Sequence, residues 1–317
     1  MTVAASLMAY GLLLAGAGPQ LLGKLHAARR APRLGIVLWQ VATASVVLSW
    51  ALAGLALVLP FGLLDDLGHF FTFCLTAVHQ LAAASPGGAS RLAGLSLAAL
   101  VIGRAAGCVG SAGLTASRRR RTHARTLYIV ARRSPELGSL VIDHPEPAIY
   151  CLPGRPGETV VTTGALRLLS PGELAAALAH ESAHLRARHH LAILVSSALT
   201  RAFPKVPLMA AAAREVPMLV EMCADDAAAR QQGRTAVLGA LQALARMRSP
   251  EGMLAASGSA VAARIERLAI PARRLFPRVS LGSAVALLST GPLVAAAIPA
   301  IVLALDHAGY CPVPPLS

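Results

Sequence analysis

Apolar and charged positions fall into long blocks along this chain. Residues 3–22 carry no charge and are long enough for one membrane-spanning helix, and residues 34–59 repeat the pattern. Residues 92–116 form a third block, interrupted by Arg104. Residues 281–305 form a fourth, containing Pro292 and Pro299. A central arginine costs about 2.5–3.5 kcal/mol on insertion, which a long apolar block absorbs. The pattern predicts four spanning helices. A secretory signal peptide is the competing reading of 3–22, but it needs a basic stretch in front. Here Lys24, Arg29, Arg30 and Arg33 follow the block instead. Residues 67–84 are also apolar and uncharged, with His69 and His79. They are read as an amphipathic helix on the outer interface. A fifth span there would move the Arg118–Arg121 run outside.

Basic residues orient the blocks. Residues 24–33, the Arg118–Arg121 run and the Arg273–Arg278 stretch are expected in the cytoplasm. The 61–91 loop, both termini and a short tail at 306–317 are then expected outside. Only 14% of the 317 residues are charged, against about 25% in soluble domains, which fits a membrane protein. The net charge of +14 flanks the apolar blocks, so it reads as a topology anchor near anionic lipid. Aromatic residues are 4%, too few for base-stacking platforms, and no direct nucleic-acid binding is expected. None of the five cysteines forms a CxxC pair, so a disulfide framework or cysteine-rich zinc knuckle is not expected. Cys74 and Cys311 would share the outer face, and their pairing is left open.

Between the third and fourth blocks, residues 117–280 are the stretch long enough for a globular domain. Short β-like runs at Leu127–Ala131, Leu140–Asp143, Ala148–Leu152 and Glu158–Thr163 suggest a small sheet, with a Pro/Gly turn at 153–157. Ser170, Pro171 and Glu173 mark a capped helix start, with the helix running to about Arg188. A second helix is expected from near Pro217 to Gly233, and a third over 235–248. Residues 191–216 hold Arg201, Pro204, Lys205 and Pro207. They are read as helices on the membrane or packed on the domain rather than as a span.

The first of these helices carries His180-Glu181-Ser182-Ala183-His184, the HExxH pattern. Its two imidazoles are i and i+4, on one helical face. On the second helix Glu221 and Asp225 are again i and i+4. A catalytic zinc takes three protein ligands and keeps a position for water. His180, His184 and Glu221 are the candidate ligands. Glu181 is the candidate general base. Asp225 can fix a ligand tautomer by accepting an imidazole N–H. Asp226 points roughly 100° away and is the weaker choice. Cys223 is read as a small buried residue. His189 and His190 are placed off the ligand face, in structural or surface roles.

These residues resemble a known peptidase group. Four spans with a gluzincin domain between the third and fourth look like the M56 peptidases, relatives of the antibiotic sensors. The domain is also similar to the M48 peptidases, the group of the CAAX-prenyl proteases. The matching stretches are AIYCLPG at Ala148–Gly154, VVTTG at Val160–Gly164, Glu173–His184, Glu221–Asp225 and RIERL at Arg264–Leu268. The resemblance implies zinc ligated by His180, His184 and Glu221, with Glu181 as base and Asp225 behind the ligands. Arg264 matches a position near the site, with a role towards substrate or oxyanion suggested. The Ala148–Leu152 strand is implied as an edge for an extended peptide. The antibiotic sensors carry a penicillin-binding domain after the fourth span. About 12 residues follow it here, so direct β-lactam acylation is not expected.

The expectation is an α-helical membrane protein with an α+β gluzincin zinc-peptidase domain, multi-pass in the cell membrane, its domain facing the cytoplasm. The expected activity is Zn2+-dependent hydrolysis of a protein substrate, such as a transcriptional repressor. Quality control of membrane proteins is one alternative. A non-proteolytic transducer, in which zinc only holds the domain together, is another.

Overall fold

The computed structural model describes residues 2–24, 30–58, 88–154, 156–248, 257–270 and 277–307. The 67–84 segment, Cys74, Cys311 and residues 308–317 lie outside the described residues. Helices α1 (Thr2–Gly23), α2 (Pro32–Ala56) and α3 (Gly88–Val130) are each long and apolar enough to cross a membrane. Helix α2 opens with Pro32 at its first turn, where a missing N–H costs nothing. Where α2 meets α3, a Cβ on Gly54 would stand 2.6 Å from the Gly94 carbonyl oxygen. Only two glycines let the backbones come this close.

Helix α3 is longer than the apolar block that predicts it. It continues through Arg118–Arg121 and absorbs Leu127–Val130, which the sequence had suggested as strand. A helix already under way adds residues cheaply, and that outweighs the β preference of Tyr128, Ile129 and Val130. Leu127 is buried against Leu140, Leu152 and Val160, so the end of α3 packs on the sheet. Arg104 is not left bare in its apolar block: its Nε donates to the Ala202 carbonyl at 2.9 Å.

The sheet holds β1 (Arg132–Ser134), β2 (Ser139–Ile142), β3 (Ile149–Leu152) and β4 (Glu158–Thr162) in the order β1-β2-β4-β3. Strands β2 and β4 are parallel, and the two outer pairings are antiparallel. Strand β3 is therefore an edge. Short helix α4 (Thr163–Leu168) follows β4, capped by Thr162. At its start Gly164 lies against the Pro145 carbonyl, where an added Cβ would collide with backbone.

Helix α5 (Pro171–Arg186) begins with the predicted capping box. The Glu173 N–H donates to Ser170 Oγ, and Glu173 Oε2 accepts from the Ser170 N–H at 2.9 Å. The helix ends two residues earlier than expected, because Arg188 turns left-handed at φ 50°. Helices α6 (His189–Ala202) and α7 (Pro207–Gln232) follow, then α8 (Arg234–Arg248), α9 (Ser257–Ala269) and α10 (Pro277–His307).

The 191–216 stretch is helical, as expected, but it packs among the apolar helices rather than on the membrane surface or the domain alone. Helix α6 and the first half of α7 pack among the apolar helices. Leu199, Leu208, Val216 and Leu219 share one buried cluster with Leu22, Leu38, Trp39 and Val46. Among spanning helices such contacts act through van der Waals packing rather than removal from water. Gln40 of α2 donates to the Ala192 carbonyl at 2.9 Å, linking α6 to the bundle. Helix α7 also starts ten residues before its expected start at Pro217 and runs through that proline. Pro217 leaves one carbonyl of the preceding turn without its helical partner. Its neighbours Val216, Leu219 and Val220 are almost wholly buried, and their packing holds the helix together.

Candidate metal centre

Helices α5 and α7 pack against each other and bring the predicted ligands to one point. His180 and His184, one turn apart on α5, place their Nε2 atoms 3.0 Å apart. Glu221 of α7 closes the triangle, with Oε2 3.5 Å from His180 Nε2 and Oε1 3.5 Å from His184 Nε2. All three ligand atoms lie within 4.8 Å of one another. Four donors at about 2.0–2.1 Å from a zinc ion stand roughly 3.3 Å apart. The two imidazoles and the carboxylate fit such an ion without rearrangement.

Behind the triangle, Asp225 is 1% exposed and its Oδ1 lies 3.0 Å from His180 Nδ1. That contact puts the His180 proton on Nδ1 and frees Nε2 as a donor to metal. Arg264 of α9 grips the same carboxylate, Nε to Oδ2 at 2.8 Å and Nη2 to Oδ1 at 2.7 Å. Its Nη1 reaches Glu221 Oε2 at 2.9 Å. Burial pushes the Asp225 carboxyl up, but the hydrogen bonds from Arg264 and His180 outweigh it and hold the group at about 2. For His180 burial is again the largest effect, yet Asp225 and Glu221 raise the imidazole to about 9. Burial takes His184 down to about 4, against the pull of Glu221.

Glu181 lies beside the triangle. Burial raises its carboxyl above the ordinary range, and the His180 charge opposes the rise. The Cys151 thiol and backbone N–H, on edge strand β3, hydrogen-bond to it. Burial and the Glu181 charge push that thiol up to about 12, so it is a neutral donor to the carboxylate. Asp226 faces away and pairs with Arg267 at 2.7 Å, and Cys223 is buried.

A family model matches residues 117–301, that of peptidase family M48. The chain belongs to peptidase family M48. Its members are metallopeptidases that depend on zinc. The His180, His184 and Glu221 cluster lies inside the matched segment of this M48 chain. No curated protein and no solved structure matches it.

Two neighbours of the site escaped the sequence reading. His189 is 6% exposed, and its Nδ1 lies 3.2 Å from Nδ1 of His184. A helical wheel continued from α5 puts it on the wrong face. The left-handed turn at Arg188 swings it back, and nothing in the sequence announces that turn. Cys151 reaches Glu181 only through the packing of β3 on α5.

Proposed function

We propose that this M48 chain is a multi-pass membrane zinc endopeptidase whose 117–280 domain faces the cytoplasm and cleaves a protein substrate. The triangle of His180, His184 and Glu221 carries this reading. The apolar 281–305 block within α10 is read as a fourth span. A zinc ion held by His180, His184 and Glu221 would supply Lewis acidity and make a water molecule acidic enough to attack near neutral pH. Glu181 takes the proton from the attacking water and returns it to the leaving amine. Burial raises its pKa above the ordinary carboxyl range, the direction a general base needs. Asp225 fixes the His180 tautomer, and His189 accepts the Nδ1–H of His184. All three nitrogens of Arg264 face carboxylates, which favours holding Asp225 and Glu221 in place over binding an oxyanion. Edge strand β3, whose Cys151 hydrogen-bonds Glu181, suits an extended peptide added as a further strand.

A repressor-like regulator is one substrate class. The M48 match, together with α6 and α7 packed among the apolar helices, favours a second: membrane proteins under quality control. A purely structural zinc site normally closes with four protein ligands. Among the described residues the cluster offers three. Comparing proteomes of cells carrying the wild type and Glu181→Gln tests the assignment. Accumulation of membrane proteins with the variant supports quality control, and persistence of one soluble regulator supports the repressor reading. Identical proteomes, with zinc still bound to the variant, would defeat the endopeptidase assignment.

A further inference from the structure

A cavity apart from the metal centre lies between α3 and α6. It measures about 570 Å³, within the ordinary size of a small-ligand site. Arg119, Arg120 and Arg201 are among the residues that line it, and no Asp or Glu is. Among the described residues no acidic group pairs with these three arginines. Three cations around one space repel one another unless an anion joins them. His190 also faces the cavity, and its Nδ1 is buried with no hydrogen-bond partner. Burial, with Arg120 and Arg188 nearby, lowers its pKa. The remaining wall is apolar and includes Ile193 and Leu194. On α6 these residues stand at spacings of three, four and seven, which makes a single face. On α3 the cavity lies where the apolar block gives way to the arginine run.

We propose that this cavity binds the headgroup of an anionic phospholipid. The phosphate sits among Arg119, Arg120, Arg201 and His190, and the start of an acyl chain lies on Ile193 and Leu194. A free phosphate would satisfy the guanidinium groups equally well but has no use for the apolar wall. A bulk lipid surface would satisfy the arginines without filling a cavity. Because α6 begins with His189, which touches His184, the occupied cavity also braces the first turn behind a metal ligand.

The test uses the full-length protein in phosphatidylcholine nanodiscs with a trace of photoreactive phosphatidylglycerol. Irradiation and digestion should give adducts concentrated in peptides covering 111–120 and 190–201. The double variant Arg119→Gln/Arg201→Gln should lose roughly fivefold for each cation removed, on the order of 25-fold for the pair. Arg118→Gln/Arg121→Gln removes the same charge from arginines outside the cavity and should lose less than twofold. Equal loss in both variants, or adducts spread over other segments of the wild type, would overturn the proposal. Suppression of adduct formation by millimolar inorganic phosphate added before irradiation would assign the cavity to a free anion and overturn it as well. The wild-type adduct map decides the question even if a variant fails to fold.

Discussion

Replacing Asp225 with Asn keeps the shape of the site and removes one charge. Asp225 accepts from Arg264 Nε at 2.8 Å, Arg264 Nη2 at 2.7 Å and His180 Nδ1 at 3.0 Å. An amide has one acceptor oxygen and turns an N–H2 group on the remaining partner. Arg264 then keeps only Glu221 as a charged partner, at 2.9 Å. Two costs follow. Breaking a buried ion pair destabilises by about 3–5 kcal/mol. Loss of a hydrogen-bonded support behind a metal ligand lowers affinity by about 10–100-fold. The second effect is specific to the site. It is read by titrating the detergent-solubilised protein with zinc against a chromophoric chelator. The expected result is a Kd raised at least tenfold, with one ion still bound at saturation. An unchanged Kd in a variant that melts earlier would show that Asp225 supports the fold alone, and the tautomer argument would be refuted.

Three other outcomes are expected. In the metal-free protein the His180–Asp225 contact should leave a pH signature. Asp225, depressed from 3.8 to about 2, contributes about 2 kcal/mol that is present above pH 4 and lost as pH falls through 2. His180, raised from 6.5 to about 9, contributes stability that is present below pH 6.5 and lost as pH rises through 9. These are two ends of one interaction and do not add. His184, lowered from 6.5 to about 4, costs stability as pH falls through that window, so thermal melts should peak near pH 6.5, and a Tm that stays flat up to pH 9.5 would contradict the His180 half. His189→Ala should weaken zinc binding about tenfold in the same chelator competition. Gly164→Val should unfold the sheet region at lower temperature by circular dichroism, because its side chain meets the Pro145 carbonyl.

The capping box, the HExxH face and the partner carboxylate were legible because each follows from local spacing on a helix. Ser170 and Glu173 need only each other, and His180 and His184 need only one turn. The failures are all tertiary. Leu127–Val130 reads as strand until the sheet takes Leu127 as part of its own core. Pro217 reads as a helix start until Val216, Leu219 and Val220 are seen buried on both sides of it. His189 reads as off the ligand face, in a structural or surface role, until the backbone reverses hand at Arg188. Arg104 reads as an interruption until the Ala202 carbonyl receives it. Arg264 was placed near the site by resemblance, but its grip on two carboxylates from a separate helix is a fact of packing.

X-ray absorption at the zinc edge of the purified full-length protein tests the central claim most directly. One ion per chain is expected, with two imidazole nitrogens and oxygen donors at about 2.0–2.2 Å and no sulfur shell, and Glu221→Ala should lose it. A sulfur shell near 2.3 Å, or a full equivalent of zinc retained by the Glu221 variant, would contradict the account.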